Sequence, residues 1–132
     1  MKLITRHTDY AIRALCAMTK ERQKMFSALE LSKELKIPRP FLRRILQILN
    51  KKGILRSYKG QGGGFRLAVS PEKIFLVKLI EIFQGPVRLN ECIFKAKICP
   101  GLETCALKRK VDAVEKFVVS ELSSINIESL TR

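Results

Sequence analysis

Three cysteines in the second half of the chain carry its most reactive side chains. Cys92, Cys99 and Cys105 lie within fourteen residues, separated by six and five positions. Structural zinc usually takes a complete tetrahedral set of protein ligands with at least one closely spaced cysteine pair, and neither is present here. Iron–sulfur clusters are often held by thiolates at looser spacing. The spacing therefore favours an iron–sulfur cluster and leaves zinc, free thiols and a redox pair open.

Positive charge dominates the composition. Lys and Arg number 26 against 12 Asp and Glu, which gives a net charge of +14 and an isoelectric point near 10.1. Such an excess in a chain about one domain long indicates a polyanionic partner, either nucleic acid or an anionic membrane surface. No apolar run approaches the roughly 20 residues that span a bilayer, so we exclude an integral membrane protein.

The start of the chain lacks the apolar core of a signal peptide, because Leu3-Ile4 gives way at once to the polar residues 5–9. We therefore expect a cytoplasmic protein whose cysteines stay reduced or bind metal. The residue types in the chain do not indicate an enzyme either. The chain has one histidine, His7, few clustered carboxylates and no nucleophile paired with a base.

A glycine run at 60–64 could suggest phosphate binding, but its surroundings exclude a nucleotide site. The run lacks the Lys-Ser or Lys-Thr of a P-loop, and Phe65 stands where the last glycine of a dinucleotide fingerprint belongs. It also leads into a strand pattern, so the helix N-terminus on which phosphate cradles depend is missing.

Two short helices joined by a tight turn are predicted in the first half. The first runs over about 27–35, where Ser27 and Glu30 have the spacing of a capping box. The second begins at Pro40 and runs to about residue 52, with Gly53 as its stop. Together they form a helix-turn-helix pattern. The second helix carries an apolar stripe of Phe41, Leu42, Ile45, Leu46, Ile48 and Leu49.

A hairpin follows directly. Residues 54–58 and 65–67 read as strands around the glycine-rich tip, and a hairpin after a helix-turn-helix is the wing of a winged helix. Further helices are predicted over about 10–20, capped by Thr8 or Asp9, and from Ser70-Pro71-Glu72 to about residue 83. A last long helix places apolar residues three or four positions apart: Leu107, Val111, Val114, Phe117, Val118 and Leu122.

The fold class is therefore mainly α with a small β-hairpin. We predict a winged helix-turn-helix DNA-binding region at 1–85, a cysteine loop that binds a cluster at 86–105, and a long C-terminal helix with its tail at 106–132.

The helix after the turn has a basic outer face. Arg39, Arg43, Arg44 and Gln47 lie opposite the apolar stripe, near the end that a recognition helix inserts into the major groove. Arg makes bidentate contacts to guanine and Gln to adenine. In the wing, basic residues surround a tip thin enough to approach a phosphate backbone or a narrow minor groove. The expected wing contacts are Arg56, Lys59, Gln61 and Arg66.

With these pieces assembled, the chain resembles the Rrf-two family of winged-helix transcriptional regulators, which includes IscR-like and NsrR-like members. The resemblance covers nearly the whole length. It rests on Met1-Lys2-Leu3 with Thr8-Asp9-Tyr10-Ala11, on 42–53, on the wing string Lys59-Gly60-Gln61-Gly62-Gly63-Gly64-Phe65, and on the cysteine triplet ahead of a long helix.

The resemblance implies a homodimer joined by the last helix, with an iron–sulfur cluster near the dimer interface and DNA affinity that changes with the cluster. It makes Cys92, Cys99 and Cys105 the cluster ligands. Lys59 takes the place of the basic residue that enters the minor groove. The base readers then lie among Arg39, Pro40, Arg43 and Arg44.

At the position of the fourth cluster ligand, this sequence differs from some members of the family. IscR-like members place a histidine three residues after the third cysteine, where this chain has Lys108. NsrR-like members use an acidic residue near the N-terminus of the partner subunit, and Asp9 matches that position. Without the resemblance, Asp9 is a helix N-terminal carboxylate favoured by the helix dipole. His7, two residues before Asp9, is a weaker candidate for the fourth ligand and is otherwise an exposed N-terminal side chain. A 4Fe–4S cluster is preferred, with 2Fe–2S second.

We therefore expect a repressor or activator that binds double-stranded DNA at an imperfect palindrome and senses through its cluster. The alternative is a cluster-free winged-helix regulator controlled by a protein partner or by thiol redox chemistry. The remaining cysteine, Cys16, lies beside the apolar side of the first helix and is interpreted as a small buried hydrophobe.

Overall fold

The computed structural model describes residues 3–89 and 106–131. Within these ranges the chain is mainly helical with one antiparallel hairpin, as the sequence predicts. The elements in order are α1 (Arg6–Thr19), α2 (Ala28–Leu35), α3 (Arg39–Lys51), β1 (Leu55–Tyr58), β2 (Gly64–Leu67), a short 3-10 helix (Pro71–Lys73), α4 (Leu76–Gln84), α5 (Ala106–Ser123) and α6 (Ile127–Leu130).

The core lies between α1, α2 and α3. Leu15 of α1, Leu31 of α2 and Leu46 of α3 are fully buried, and burying such side chains contributes about 1.5–3 kcal/mol each. The predicted stripe of α3 is confirmed at four of its six positions, is partly buried at Ile48 and fails at Phe41, which is half exposed. The buried members of the stripe are Leu42, Ile45, Leu46 and Leu49.

The start of α1 corrects the prediction. The helix begins at Arg6 rather than residue 10, because Thr5 is extended and its side chain caps the Thr8 amide. Asp9 therefore lies inside the first turn and is not the cap. The polar residues 5–9 lack the apolar spacing by which a helix start is recognised.

The cap of α2 follows the prediction in part. The hydroxyl of Ser27 accepts from the Glu30 amide at 3.0 Å. The Glu30 carboxylate does not return to the backbone; it accepts from Lys24 Nζ at 2.7 Å, and this bond lowers the pKa of Glu30.

The region before α4 is a second correction. Ser70-Pro71-Glu72 does not open a long helix: only Pro71–Lys73 is helical, and α4 begins at Leu76. The carbonyl of Ile74 accepts from the Ile127 amide, and the Leu76 amide donates to the Ile125 carbonyl, both at 2.9 Å. This pairing with the C-terminal segment holds the chain extended between the two helices.

The wing is fixed to the helix-turn-helix by backbone hydrogen bonds. The strands pair with Leu55 opposite Leu67 and Tyr58 opposite Gly64. On the edge of β2 that faces away from β1, Phe26 and Phe65 exchange backbone hydrogen bonds of 2.8 and 2.7 Å, so the residue just before the α2 cap joins the wing. A Cβ on Gly64 would lie 2.4 Å from the Phe26 carbonyl oxygen, so only glycine allows this approach.

One exposed ion cluster ties three distant segments together. Arg22 donates to Glu72 at 2.9 Å and to Glu128 at 2.7 Å. A hydrogen bond from Ser70, the backbone amide of Glu72 itself and Arg22 together lower the pKa of Glu72 to about 2. The cluster joins the loop after α1, the 3-10 helix and α6.

Gly64→Ala should destabilise the protein by about 2–4 kcal/mol, because the new methyl meets backbone at a positive φ. Gly53→Ala is the matched control: Gly53 also has a positive φ but has open space around it, so about 1 kcal/mol is expected. Urea unfolding measures both. Equal losses for the two variants would contradict the close approach of the wing to Phe26.

Candidate nucleic-acid interface

The outer face of α3 collects the side chains that the sequence assigns to base reading. Arg39, Arg43, Arg44 and Gln47 are exposed, and with Pro40 they line one open depression. The proline lies in the first turn of the helix, where its missing N–H removes no helical hydrogen bond. The structure thus brings the predicted readers together on one surface.

These cations have no acidic partners within the described part of the chain. Ion pairs there neutralise Arg13, Arg22, Lys24 and Lys108. Arg39, Arg43 and Arg44 form none.

The sequence explains this contrast. Between Leu35 and Pro71 there are nine Lys or Arg and no Asp or Glu. This acid-free segment comprises α3, the wing and their flanks. The net charge of the whole chain does not reveal that acidic residues are missing from this one stretch. A surface with this imbalance attracts a polyanion over a distance set by the salt concentration.

Phe41 is an exposed residue of α3 that the sequence assigned to the apolar stripe. It lies in the first turn of α3 and is 50% exposed. Its spacing from Leu42 and Ile45 fits either the edge of the stripe or the flank of the outer face, so periodicity alone did not place it. An exposed aromatic ring beside the arginines can make apolar contact with a thymine methyl group.

The wing tip presents Lys59 and Gln61 to solvent. Gly60 and Gly62 have positive φ values of 94° and 74°, and the Gly63 amide closes the turn on the Gly60 carbonyl. The side chain of Asn50 on α3 accepts from the Ser57 amide of β1 at 3.2 Å. This bond ties β1 of the wing to α3.

Asp9 faces solvent in the first turn of α1. Its carboxylate pairs with Arg13 Nε at 3.0 Å, and the Asp9 side chain is 43% exposed. The helix start is anchored to the end of α4, because Gln84 Oε1 accepts from the Thr5 amide at 2.8 Å and the buried Thr8 hydroxyl at 2.7 Å. The carboxylate is therefore accessible on a fixed helix end.

Cys92, Cys99 and Cys105 lie outside the described residues, and within the described ranges no three His, Cys, Asp or Glu side chains group as a metal site. Cys16 is half-buried against the core, and burial raises the pKa of its thiol although Lys20 opposes the shift. Its thiol therefore stays protonated at neutral pH.

The helix α5 exposes apolar side chains. Leu107, Val114 and Phe117 are 59%, 54% and 65% exposed, whereas Leu122 near the C-terminal end is buried. Val111 and Val114 line an apolar depression with Leu89, whose amide donates to Glu115 at 2.9 Å. No helix in the described part of the chain has the length and apolar character to cross a membrane.

Comparisons with known proteins agree with this architecture. A family model for Rrf2, described as an iron-dependent transcriptional regulator, matches residues 4–132. An HTH-type transcriptional regulator of Aquifex aeolicus is 37% identical, covering 92% of this chain and 85% of the relative. The HTH-type transcriptional regulator NsrR of Bacillus subtilis is 25% identical, covering 100% and 91%.

Solved structures share the fold. CymR, the global cysteine regulator of B. subtilis, superimposes with a TM-score of 0.75 at 20% identity, covering 99% of this chain and 97% of that one. T. potens IscR gives 0.74 at 19% identity, covering 98% and 85%. The family model spans nearly the whole chain and the Aquifex relative is more than one third identical, so this chain belongs to the Rrf2 family of DNA-binding transcriptional regulators.

Proposed function

We propose that this chain is a homodimeric regulator that binds an imperfect palindrome in double-stranded DNA and responds through an iron–sulfur cluster. The observation that carries the DNA contact is the acid-free segment, which places unpaired arginines on α3 and basic residues on the wing fixed beside it. Such a surface combines phosphate attraction with side chains able to read base edges.

In the proposed complex, the two copies of α3 enter successive major grooves. Arg43 and Arg44 project from the exposed face toward base edges, with Gln47 one turn further along. Lys59 and Gln61 lie at the wing tip, where the glycines keep the hairpin thin enough for a minor groove. Pairing of the exposed apolar face of α5 with that of a second copy supplies the dimer.

The donor set fits an iron–sulfur cluster by its chemistry. Cys92, Cys99 and Cys105 offer three thiolates, and Asp9 of the partner subunit is the proposed fourth ligand. The exposure of Asp9 supports this role, because a surface ion pair with Arg13 contributes little and is readily exchanged. A cluster held in this way would supply a redox-sensitive and ligand-sensitive centre. The 4Fe–4S form is preferred over 2Fe–2S.

Anaerobic purification tests the proposed sensor directly. Iron and acid-labile sulfide are measured together with the absorption spectrum, and duplex affinity is compared before and after cluster removal. We expect a coloured protein whose two forms differ in DNA affinity. A colourless protein without iron or sulfide after reconstitution, yet still binding DNA, would favour a cluster-free regulator controlled by a partner protein or by thiol redox.

Arg43→Ala should weaken binding to a duplex selected from a randomised library by roughly 1–3 kcal/mol and relax the preference at one base pair, as expected for a base-reading arginine. The control is Lys78→Ala, which removes an exposed charge on α4 outside the acid-free segment. Fluorescence anisotropy on the selected and mutated duplexes measures both. Equal losses for the two variants would remove Arg43 from the base-reading set.

Asp9→Ala should leave folding intact and shorten the lifetime of the cluster in air. Arg13→Ala is the matched control, because it breaks the same ion pair while keeping the carboxylate. Absorbance decay follows the cluster and circular dichroism follows the fold. If the two variants lose absorbance at the wild-type rate, Asp9 is not a ligand.

Phe117→Glu should weaken the dimer at least about 100-fold, because it places a charge in the apolar face that we assign to the interface. Lys116→Glu makes a charge change at the neighbouring exposed position and should have a much smaller effect. Sedimentation equilibrium gives both dissociation constants. A Phe117→Glu protein as dimeric as the wild type would place the interface elsewhere.

A further inference from the structure

Two arginines lie directly opposite each other on the wing. Arg56 of β1 pairs with Arg66 of β2 in the antiparallel register, so both side chains leave the same face of the hairpin. Like charges in this position destabilise a sheet. Within the described residues neither arginine has a carboxylate partner, so no acidic side chain there offsets the repulsion.

Tyr58 holds one of the pair in place. The guanidinium of Arg66 lies 5.4 Å from the centre of the Tyr58 ring, and its Nη2 donates to the Tyr58 hydroxyl at 3.2 Å. Tyr58 faces Gly64 across the strands, so no opposing side chain competes for this space. Stacking on an aromatic ring pre-organises the planar guanidinium while its other N–H groups remain available to a ligand.

We propose that Arg56 and Arg66, braced by Tyr58, form a phosphate clamp that binds a single phosphodiester of duplex DNA. The inference rests on the proposed DNA binding and adds a specific ligand for the side of the wing, separate from its tip. One shared phosphate lies between two guanidiniums and converts their repulsion into two charge-assisted contacts.

The position of the clamp fits this ligand. Arg56 is three residues before Lys59, which corresponds to about 10 Å along a strand. With the tip in a minor groove, the side of the hairpin therefore approaches the phosphates that border the groove. Because phosphate contacts fix the register of a protein on DNA without reading bases, the clamp would set the orientation of the wing.

The salt dependence of binding to a fixed 30-base-pair duplex of mixed sequence tests the clamp. Arg56→Gln and Arg66→Gln should each leave the slope of log affinity against log salt nearly unchanged, because the remaining arginine still neutralises the shared phosphate. The double variant should lower the slope by about 0.9, the value for one phosphate contact. The control removes two exposed charges elsewhere, Lys73→Gln with Lys78→Gln, and should leave the slope unchanged.

Each other outcome overturns a stated part of the inference. A fall of about 1.8 in the double variant would mean two separate phosphates and no shared clamp. A double-variant slope equal to that of the control would remove the wing face from the interface, and binding by the wild-type protein would leave the proposed function standing. Failure of the wild-type protein to bind any duplex would contradict both.

Two further readouts separate the clamp from a structural role. The urea midpoint of Arg56→Gln should equal or exceed that of the wild type, because the substitution relieves like-charge repulsion. Single methylphosphonate substitutions in the duplex should identify one phosphate whose neutralisation weakens the wild type but not the double variant. If Arg56→Gln has a lower urea midpoint than the wild type, and the double variant is as sensitive to methylphosphonates as the wild type, the arginines only support the hairpin.

Discussion

The backbone hydrogen bonds between Phe26 and Phe65 constrain the geometry on which the proposed DNA binding depends. A two-stranded hairpin is marginally stable by itself, and here β2 gains a further pair of hydrogen bonds from the residue preceding the α2 cap. Asn50 adds a bond from α3 to β1. The wing and α3 are therefore held together by backbone and side-chain hydrogen bonds, and glycine at position 64 is a steric requirement of this arrangement.

Charge is segregated in this arrangement. Acidic residues neutralise cations on α1, on the loop after it and on α5, whereas α3 and the wing belong to a segment without a single Asp or Glu. Uncompensated cations repel one another and lower the stability of the free protein. When DNA binds, its phosphates neutralise these cations and release counterions, which favours the complex. The same uncompensated charge that lowers the stability of the free protein therefore raises its affinity for DNA in the proposed function.

Much of the fold is predictable because local patterns and tertiary structure agree. Helix α3 follows its apolar spacing, Ser27 caps α2, and the glycine run marks the hairpin tip. The misplaced boundaries have non-local causes. The start of α4 is set by pairing with the C-terminal segment, which no window around residue 74 contains. Phe41 lies at the edge of its stripe, where spacing does not distinguish core from surface.

The same distinction applies to the candidate site. Residue types and helical spacing placed the arginines of α3 on one face, and the structure brings them together. The opposition of Arg56 and Arg66 depends on strand register, which the sequence alone did not specify. The assignment of Cys92, Cys99, Cys105 and Asp9 to a cluster rests on their chemistry and on the family resemblance, and it stays a prediction.

The central claim is that α3 and the wing form the DNA-binding face. Arginine-specific dicarbonyl labelling, read by mass spectrometry with and without duplex DNA, tests it most directly. We predict that DNA protects Arg39, Arg43, Arg44, Arg56 and Arg66 while the exposed Arg88 and Arg109 react as before. Protection of Arg88 and Arg109 with unchanged labelling of the other five would contradict the account.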